Sequence, residues 1–352
     1  MATRPWMIYG ANGYTGHLLA REAQRQGLKP ILAGRNPAAV HALGSRLGLE
    51  CRIFDLQHPE RAHEALADVA VVAHCAGPFS ATSLPMLAAC LASGSHYLDI
   101  TGEIDVFETA HGFDQKAREQ GLVICPGVGF DVLPSDCLAA CLQQALPDAE
   151  QLTLGFDTGG GLSPGTARTL LQGLPLGGRV RRDGFITAVP LGFKRRRIDF
   201  GRGPKPAVTI PWGDVATAYF STGIGNVEVY LPAPTALAVG MRLLDPLRPL
   251  LGQPRLQDWL ARLLERRVRG PDLPRRERHR SWLWGEVRNA DGQVRSARLE
   301  TANGYTVTVH GVLLALRHLL GYRGPGGYFT PSQLLGARCV ERLPDSGQIL
   351  VS

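Results

Sequence analysis

Short apolar runs alternate with amphipathic stretches along the first 125 residues. Trp6–Tyr9 predicts a strand. Tyr14–Gln26 has helical periodicity and stops at Gly27, a residue suited to a helix C-terminus. Pro30–Ala33 predicts a second strand, and a helix begins near Pro37, since proline suits the first helical turn. Cys51–Phe54, Val69–Ala73, His96–Leu98 and Leu122–Cys125 predict further strands. Pro59–Leu66, Ser83–Ala92 and Glu103–Gln120 predict the helices between them. Strands this short and apolar, separated by helices, belong to a parallel sheet buried on both faces.

The rhythm changes after Pro126. A loop, Gly127–Pro134, leads into a helix around Ser135–Gln144, followed by segments rich in glycine and proline such as Thr158–Gly161 and Gly177-Gly178. Val208–Ile210 and Val227–Leu231 read as strands. Trp282–Asn289 and Gln293–Glu300 read as a hairpin turned by Ala-Asp-Gly292. Thr306–Leu320 predicts a helix of roughly four turns. The fold class is therefore α/β: a Rossmann-type domain over residues 1–126, then an α+β substrate or dimerisation domain with a mostly antiparallel sheet over 127–325. Residues 326–352 form a C-terminal segment expected to pack back on the first domain.

With 352 residues, 44% hydrophobic and 20% charged, the chain has material for two ordinary cores and no composition for long disorder. The seven cysteines are odd in number, form no C-x-x-C pair and lie largely in apolar runs, which points to reduced thiols in a cytoplasmic protein. No signal peptide is visible before the first strand. Val69–Leu98 lacks Asp, Glu, Lys and Arg, but Gly77-Pro78, Pro85 and Gly94 break it up, so it does not read as a membrane span. The net charge of +7 comes almost wholly from arginine. It is too small to argue for nucleic acid. Two basic clusters, Arg179–Arg197 and Arg262–Arg280, read first as solvated faces. The alternative is an anionic partner: an acyl carrier, an acidic protein or peripheral contact with an anionic membrane.

The strongest local signal is Gly10-Ala11-Asn12-Gly13-Tyr14-Thr15-Gly16, directly after a strand and opening a helix. Glycines there allow a tight turn and close approach to a pyrophosphate, and the helix N-terminus supplies free amides and partial positive charge. The end of the second strand, Ala33-Gly34-Arg35-Asn36, lacks the acidic residue that binds the ribose hydroxyls of NAD. Arg35 instead suits a 2′-phosphate, so the cofactor is read as NADP(H). Asp55 lies where adenine is expected. Cys75-Ala76-Gly77-Pro78-Phe79 lies where the nicotinamide ribose should pass.

These segments resemble the saccharopine dehydrogenase-like oxidoreductases. The resemblance rests on Gly10–Gly16, Ala33–Asn36, Cys75–Phe79, His96–Glu103 and Pro126–Asp136, with weaker echoes at Thr301–Thr306 and Phe329–Pro331. It covers roughly the first 140 residues, and is closer to trans-acting enoyl reductases and uncharacterised members than to true saccharopine reductases. It implies a nicotinamide-dependent oxidoreductase reducing a C=C or C=N bond of a small or lipid-like molecule. Candidates for proton transfer at the carboxyl edge of the sheet are Asp99, Glu103 and Asp131, with Tyr97 and Asp136 nearby. Each has a structural alternative, as a cap or a ligand for turn amides. No Tyr-x-x-x-Lys pair or metal-ligand spacing is present. The rival readings are a non-catalytic nucleotide-bound protein at a lipid or protein surface, and a saccharopine-type amino-acid dehydrogenase. A homodimer is compatible with either domain.

Overall fold

The computed structural model describes residues 4–158, 171, 173–251, 253, 256, 257, 259, 260, 262 and 279–352. The glycines at 159–161 and most of the second basic cluster, residues 263–278, lie outside the described residues.

In the first strand, β1 (Trp6–Tyr9), all four side chains are buried. Trp6 and Ile8 enter one hydrophobic core and Met7 and Tyr9 another, as the two-residue period of a strand requires when both faces are covered. The same logic holds for β2 (Ile31–Gly34), β4 (Val71–His74), β5 (His96–Asp99) and β6 (Val123–Cys125), while the edge strand β3 (Cys51–Ile53) is half-buried throughout. Together with β15 (Gly327–Tyr328) they form a seven-stranded sheet in the order β15-β6-β5-β4-β1-β2-β3, and every pairing is parallel. The connecting helices are α1 (Tyr14–Arg25), α2 (Pro37–Leu47), α3 (Pro59–Leu66), α4 (Phe79–Ser93), α5 (Ile104–His111) and α6 (Asp114–Gln120). Strand order reverses between β1 and β4, which opens a crevice at their carboxyl ends.

Two helix boundaries differ from the expectation. Glu103–Gln120 is not one helix but α5 and α6, separated at Gly112-Phe113. Helix α4 starts at Phe79 rather than Ser83 and holds Pro85 inside it. Its early start is tertiary in origin: the Glu103 carboxylate accepts hydrogen bonds from the Phe79 and Ser80 amides at 2.9 and 2.8 Å, a cap supplied from another turn of the sheet edge.

The second sheet has nine strands, with β10-β11-β12-β7-β13-β14-β16 as its main path. Its members are β7 (Ala149–Thr158), β8 (Gly178–Arg182), β9 (Phe185–Val189), β10 (Arg195–Asp199), β11 (Pro204–Thr209), β12 (Asn226–Pro232), β13 (Arg280–Asn289), β14 (Val294–Ala302) and β16 (Leu350–Val351). It is antiparallel except where β12 meets β7. The expected hairpin is present as β13 and β14. Helix α7 (Leu133–Ala145) packs on this sheet. The helix Gly304–Leu320 returns to lie on α1 and against β4 and β5. The C-terminal segment joins both sheets, through β15 and β16.

Most cations of the first basic cluster are paired. Arg179 meets Asp105, Lys194 meets Glu228 and Arg196 meets Glu286. Arg181 is 3% exposed, and donates to the carbonyls of Val215 and Gly184 and to the Glu108 carboxylate. It ties β8 to α5 and to the helix Asp214–Thr222. Arg181→Ala should therefore cost about 2–4 kcal/mol of stability, because a buried and a part-buried carbonyl lose their donor and Glu108 loses its partner. Urea unfolding would read this, and a loss below about 1 kcal/mol would refute the role.

Candidate functional site

The site builds up from the first turn. Gly10 has φ +82°, and its amide and that of Ala11 donate to the Ala33 carbonyl at 2.8 and 3.1 Å. A Cβ on Gly10 would lie 2.8 Å from the Ala76 amide nitrogen, and one on Gly16 would lie 2.2 Å from the Gly10 carbonyl oxygen. The loop is therefore folded tightly on itself and against the turn after β4. Helix α1 starts from Gly13 with no side-chain cap and no acidic residue in its first turn. Such a terminus suits a pyrophosphate. A Cβ on Gly34 would lie 3.0 Å from Asn12 Oδ1, so this end of β2 packs closely against the loop.

Arg35 is exposed at the end of β2 and carries no ion pair among the described residues. Asn36 caps α2 by accepting from the Ala39 amide. Asp55 accepts from the Gln57 amide at 3.0 Å, so one of its oxygens shapes a turn. Tyr9 donates to the Phe54 carbonyl. Burial, reinforced by the Asp55 carboxylate, pushes its phenol up to about 12.

The Cys75–Phe79 turn contains a cis Gly77–Pro78 bond. The Thr82 hydroxyl lies 2.6 Å from the Ala76 carbonyl and 3.0 Å from that of Pro78. The imidazole of His74 reaches the same hydroxyl at 3.0 Å through Nε2, and burial lowers its pKa to about 3, so it stays neutral. Burial pushes the Cys75 thiol up to about 12, which leaves it inert.

The three proposed proton-transfer carboxyls have different surroundings. Asp99 is 1% exposed, and both its oxygens are engaged. Tyr97 donates to Oδ2 at 2.6 Å; the amides of Thr101 and Gly127 donate to Oδ1 at 3.0 and 2.8 Å. Burial raises its pKa to about 6 against those hydrogen bonds. Glu103 is engaged at both oxygens by the start of α4. Asp131 accepts no side-chain hydrogen bond among the described residues. Its Oδ2 lies 3.0 Å from where a Gly102 Cβ would stand, over the turn between β5 and α5. Burial, with Glu103 adding repulsion, pushes this carboxyl up to about 7. Its backbone is held by the Trp212 indole, which donates to the Asp131 carbonyl at 2.7 Å, and by Thr308, which accepts from the Phe130 amide. Beside it, Phe130, Phe156 and Trp212 form a chain of rings with centroids 6.0 and 5.0 Å apart.

The structure thus gathers Glu103, Asp131 and the Pro78–Phe79 turn at one edge of the sheet, with Asp99 behind them. Asp136 sits deeper, accepting from the Ser332 amide at 2.7 Å. Near it is Asp214, fully buried and raised well above the usual carboxylate range by burial, with Asp136 adding to the effect. Thr82, Trp212 and Asp214 belong to this neighbourhood and carry no motif; only the fold brings them there.

A parallel sheet that reverses order beside a glycine turn is the architecture of the Rossmann class. Residues 6–125 match the family model of the saccharopine dehydrogenase NADP binding domain. A putative trans-acting enoyl reductase of Mycobacterium tuberculosis is 31% identical over 182 residues, which cover 47% of this chain and 43% of that protein. A saccharopine dehydrogenase-like oxidoreductase of Homo sapiens is 29% identical over 162 residues, covering 39% and 37%. The match spans less than half the length of these curated relatives. Among solved structures, apo saccharopine dehydrogenase (L-Glu forming) of Saccharomyces cerevisiae superposes with a TM-score of 0.67 at 11% identity, covering 99% of both chains. The homospermidine synthase of Legionella pneumophila, in complex with NAD, gives 0.64 at 10% identity, covering 99% of this chain and 91% of that one. The N-terminal domain is thus similar to the NADP-binding domain of the saccharopine dehydrogenases, and the likeness to the solved structures is one of fold. No helix among the described residues is long and apolar enough to cross a membrane.

Proposed function

We propose that this chain is an NADP(H)-dependent oxidoreductase that reduces a C=C or C=N bond of a small or lipid-like substrate, with Asp131 as the proton-transfer group. The observation that carries the reading is the Asp131 carboxyl. It is free of side-chain partners among the described residues, it titrates near 7, and it stands over the sheet edge that carries the glycine loop. Bound NADPH would supply the hydride. The loop residues Gly10–Gly16 would cradle its pyrophosphate, Arg35 would meet the 2′-phosphate, Asp55 would border the adenine, and the Cys75–Phe79 turn would border the nicotinamide ribose. Glu103 holds that turn by capping α4, and Asp99 holds the backbone of Gly127, so both act as positioning groups. Asp131, its pKa pushed up to about 7, can give a proton or take one.

The ring chain Phe130–Phe156–Trp212 beside Asp131 supports an apolar substrate. An amino-dicarboxylate would call for free cations, and Arg179 and Arg181 are paired with Asp105 and Glu108. Remaining exposed cations such as Arg195, with exposed Leu237 and Leu243, suit peripheral contact with an anionic surface, where an acyl substrate would be presented.

Fluorescence titration with NADPH and NADH tests the cofactor. Arg35→Ala should weaken NADPH binding by roughly 10-fold or more, the scale of one charge-assisted pair, and leave NADH binding nearly unchanged. Equal loss for both nucleotides would remove Arg35 from the 2′-phosphate. No binding of either would bring forward the non-catalytic reading.

A further inference from the structure

The C-terminal segment is laid along α7 by contacts from its N-terminal turns. Asp136 Oδ2 accepts from the Ser332 amide at 2.7 Å, and the Cys141 thiol approaches the Ala337 carbonyl at 3.6 Å. Between them, Cys137 Sγ and Cys339 Sγ lie 3.3 Å apart, joining positions 202 residues apart in sequence. Both cysteines are free and buried. Cys339, 2% exposed, stands in the wall of an open surface cavity of about 520 Å³, together with Leu335, Gly336, Arg338, Glu341, Arg342 and Gln348. Arg338 reaches Glu341 at 2.6 Å and Arg342 reaches the Leu335 carbonyl at 2.9 Å. Each guanidinium has five N–H donors, so both keep donors to spare for a carboxylate. The cavity wall thus offers both signs of charge around a single sulfur.

We propose that Cys339 is a modification site for small zwitterionic disulfides, and that Cys137 is its resolving thiol. The Cys339 thiolate attacks one sulfur of the small disulfide. A new S–S bond forms, the old one breaks, and one small thiolate leaves. Cys137, already in contact with Cys339 Sγ, loses its proton to solvent and attacks that sulfur. This expels the second small thiolate and closes the internal disulfide. Two protein thiols are oxidised and one small disulfide is reduced to two thiols. Burial raises the Cys137 thiol well above its usual range, so the second step should accelerate as pH rises. The bond would fasten the C-terminal segment, which contributes β15 to the first sheet and β16 to the second, onto α7.

The test treats the folded full chain with oxidised glutathione, followed by intact mass and peptide mapping of wild type and Cys137→Ser. Wild type should lose about 2 Da and yield a peptide pair joined at Cys137 and Cys339. Cys137→Ser should instead hold one glutathionyl group at Cys339. The joined wild type should also melt several degrees higher than the reduced form, because the cross-link closes a long loop. A mixed disulfide that persists at Cys339 in wild type overturns the resolving role. Modification of Cys90 or Cys125 as fast as Cys339, or no reaction at all, overturns the site. If Cys137→Ser fails to fold, the wild-type peptide map alone decides.

Discussion

Asp131→Asn should lower turnover about 10²–10⁴-fold with any substrate that wild type reduces using NADPH, the range lost with a general acid–base group. Nucleotide affinity should stay close to wild type, because Asp131 stands over the turn after β5 and not in the glycine loop. In wild type the rate should follow a group near 7, and the variant should lack that limb. A second readout needs no substrate. The folded-state pKa is raised above the ordinary value near 4, so the folded protein binds the proton more tightly than the unfolded chain. This contribution to stability is complete at low pH and is lost as pH rises from about 4 through 7. Asparagine keeps the shape and removes the half-buried charge. The variant should therefore be more stable than wild type at about pH 8 and lose that part of the pH slope. Unchanged turnover would take Asp131 out of the chemistry. An unchanged pH–stability curve would show that its carboxyl is not perturbed.

Gly16→Ala should abolish measurable NADPH binding, a loss of at least 10²-fold. The added methyl would stand 2.2 Å from the Gly10 carbonyl oxygen, closer than any real contact, with backbone on both sides. The loop must open, and the amides at the start of α1 then leave the pyrophosphate position. Gly321→Ala is the matched control, since no atom lies within 4 Å of that site and its φ is not in the left-handed region. It should bind NADPH as wild type does. If Gly16→Ala binds normally, the glycine turn is not the phosphate site. A melting curve of each variant separates a local effect from unfolding of the domain.

The carboxyl candidates show what residue type and position convey and what they leave open. Asp99, Glu103 and Asp131 all follow the strand–loop logic that places polar groups at the carboxyl edge of a parallel sheet. Their surroundings divide them. Thr101 and Gly127 amides and the Tyr97 hydroxyl take up Asp99, and the start of α4 takes up Glu103. Asp131 keeps its carboxyl clear of them. Tyr97 and Thr101 are local to Asp99, two residues away, but Gly127 lies 28 residues from it, and the Phe79 and Ser80 amides lie 24 and 23 residues from Glu103. Glu103 also decides where α4 starts, which explains why the helix begins before the position that local pattern suggests.

Local pattern by itself determined the parallel sheet, its helices, the glycine turn, the absence of an acid after β2, and the β13–β14 hairpin. Each follows from short-range physics: the period of apolar residues, the φ freedom of glycine, and the turn at Gly292. Tertiary structure alone decided the rest. The sequence offers no signal that Gly327–Tyr328 completes the first sheet, that β7 lies between β12 and β13, or that the first basic cluster is spent largely on ion pairs. The same holds for the 3.3 Å approach of Cys137 to Cys339. These are pairings between distant segments, and their energies depend on which surfaces the folded core brings together, a quantity that no local window of residues contains.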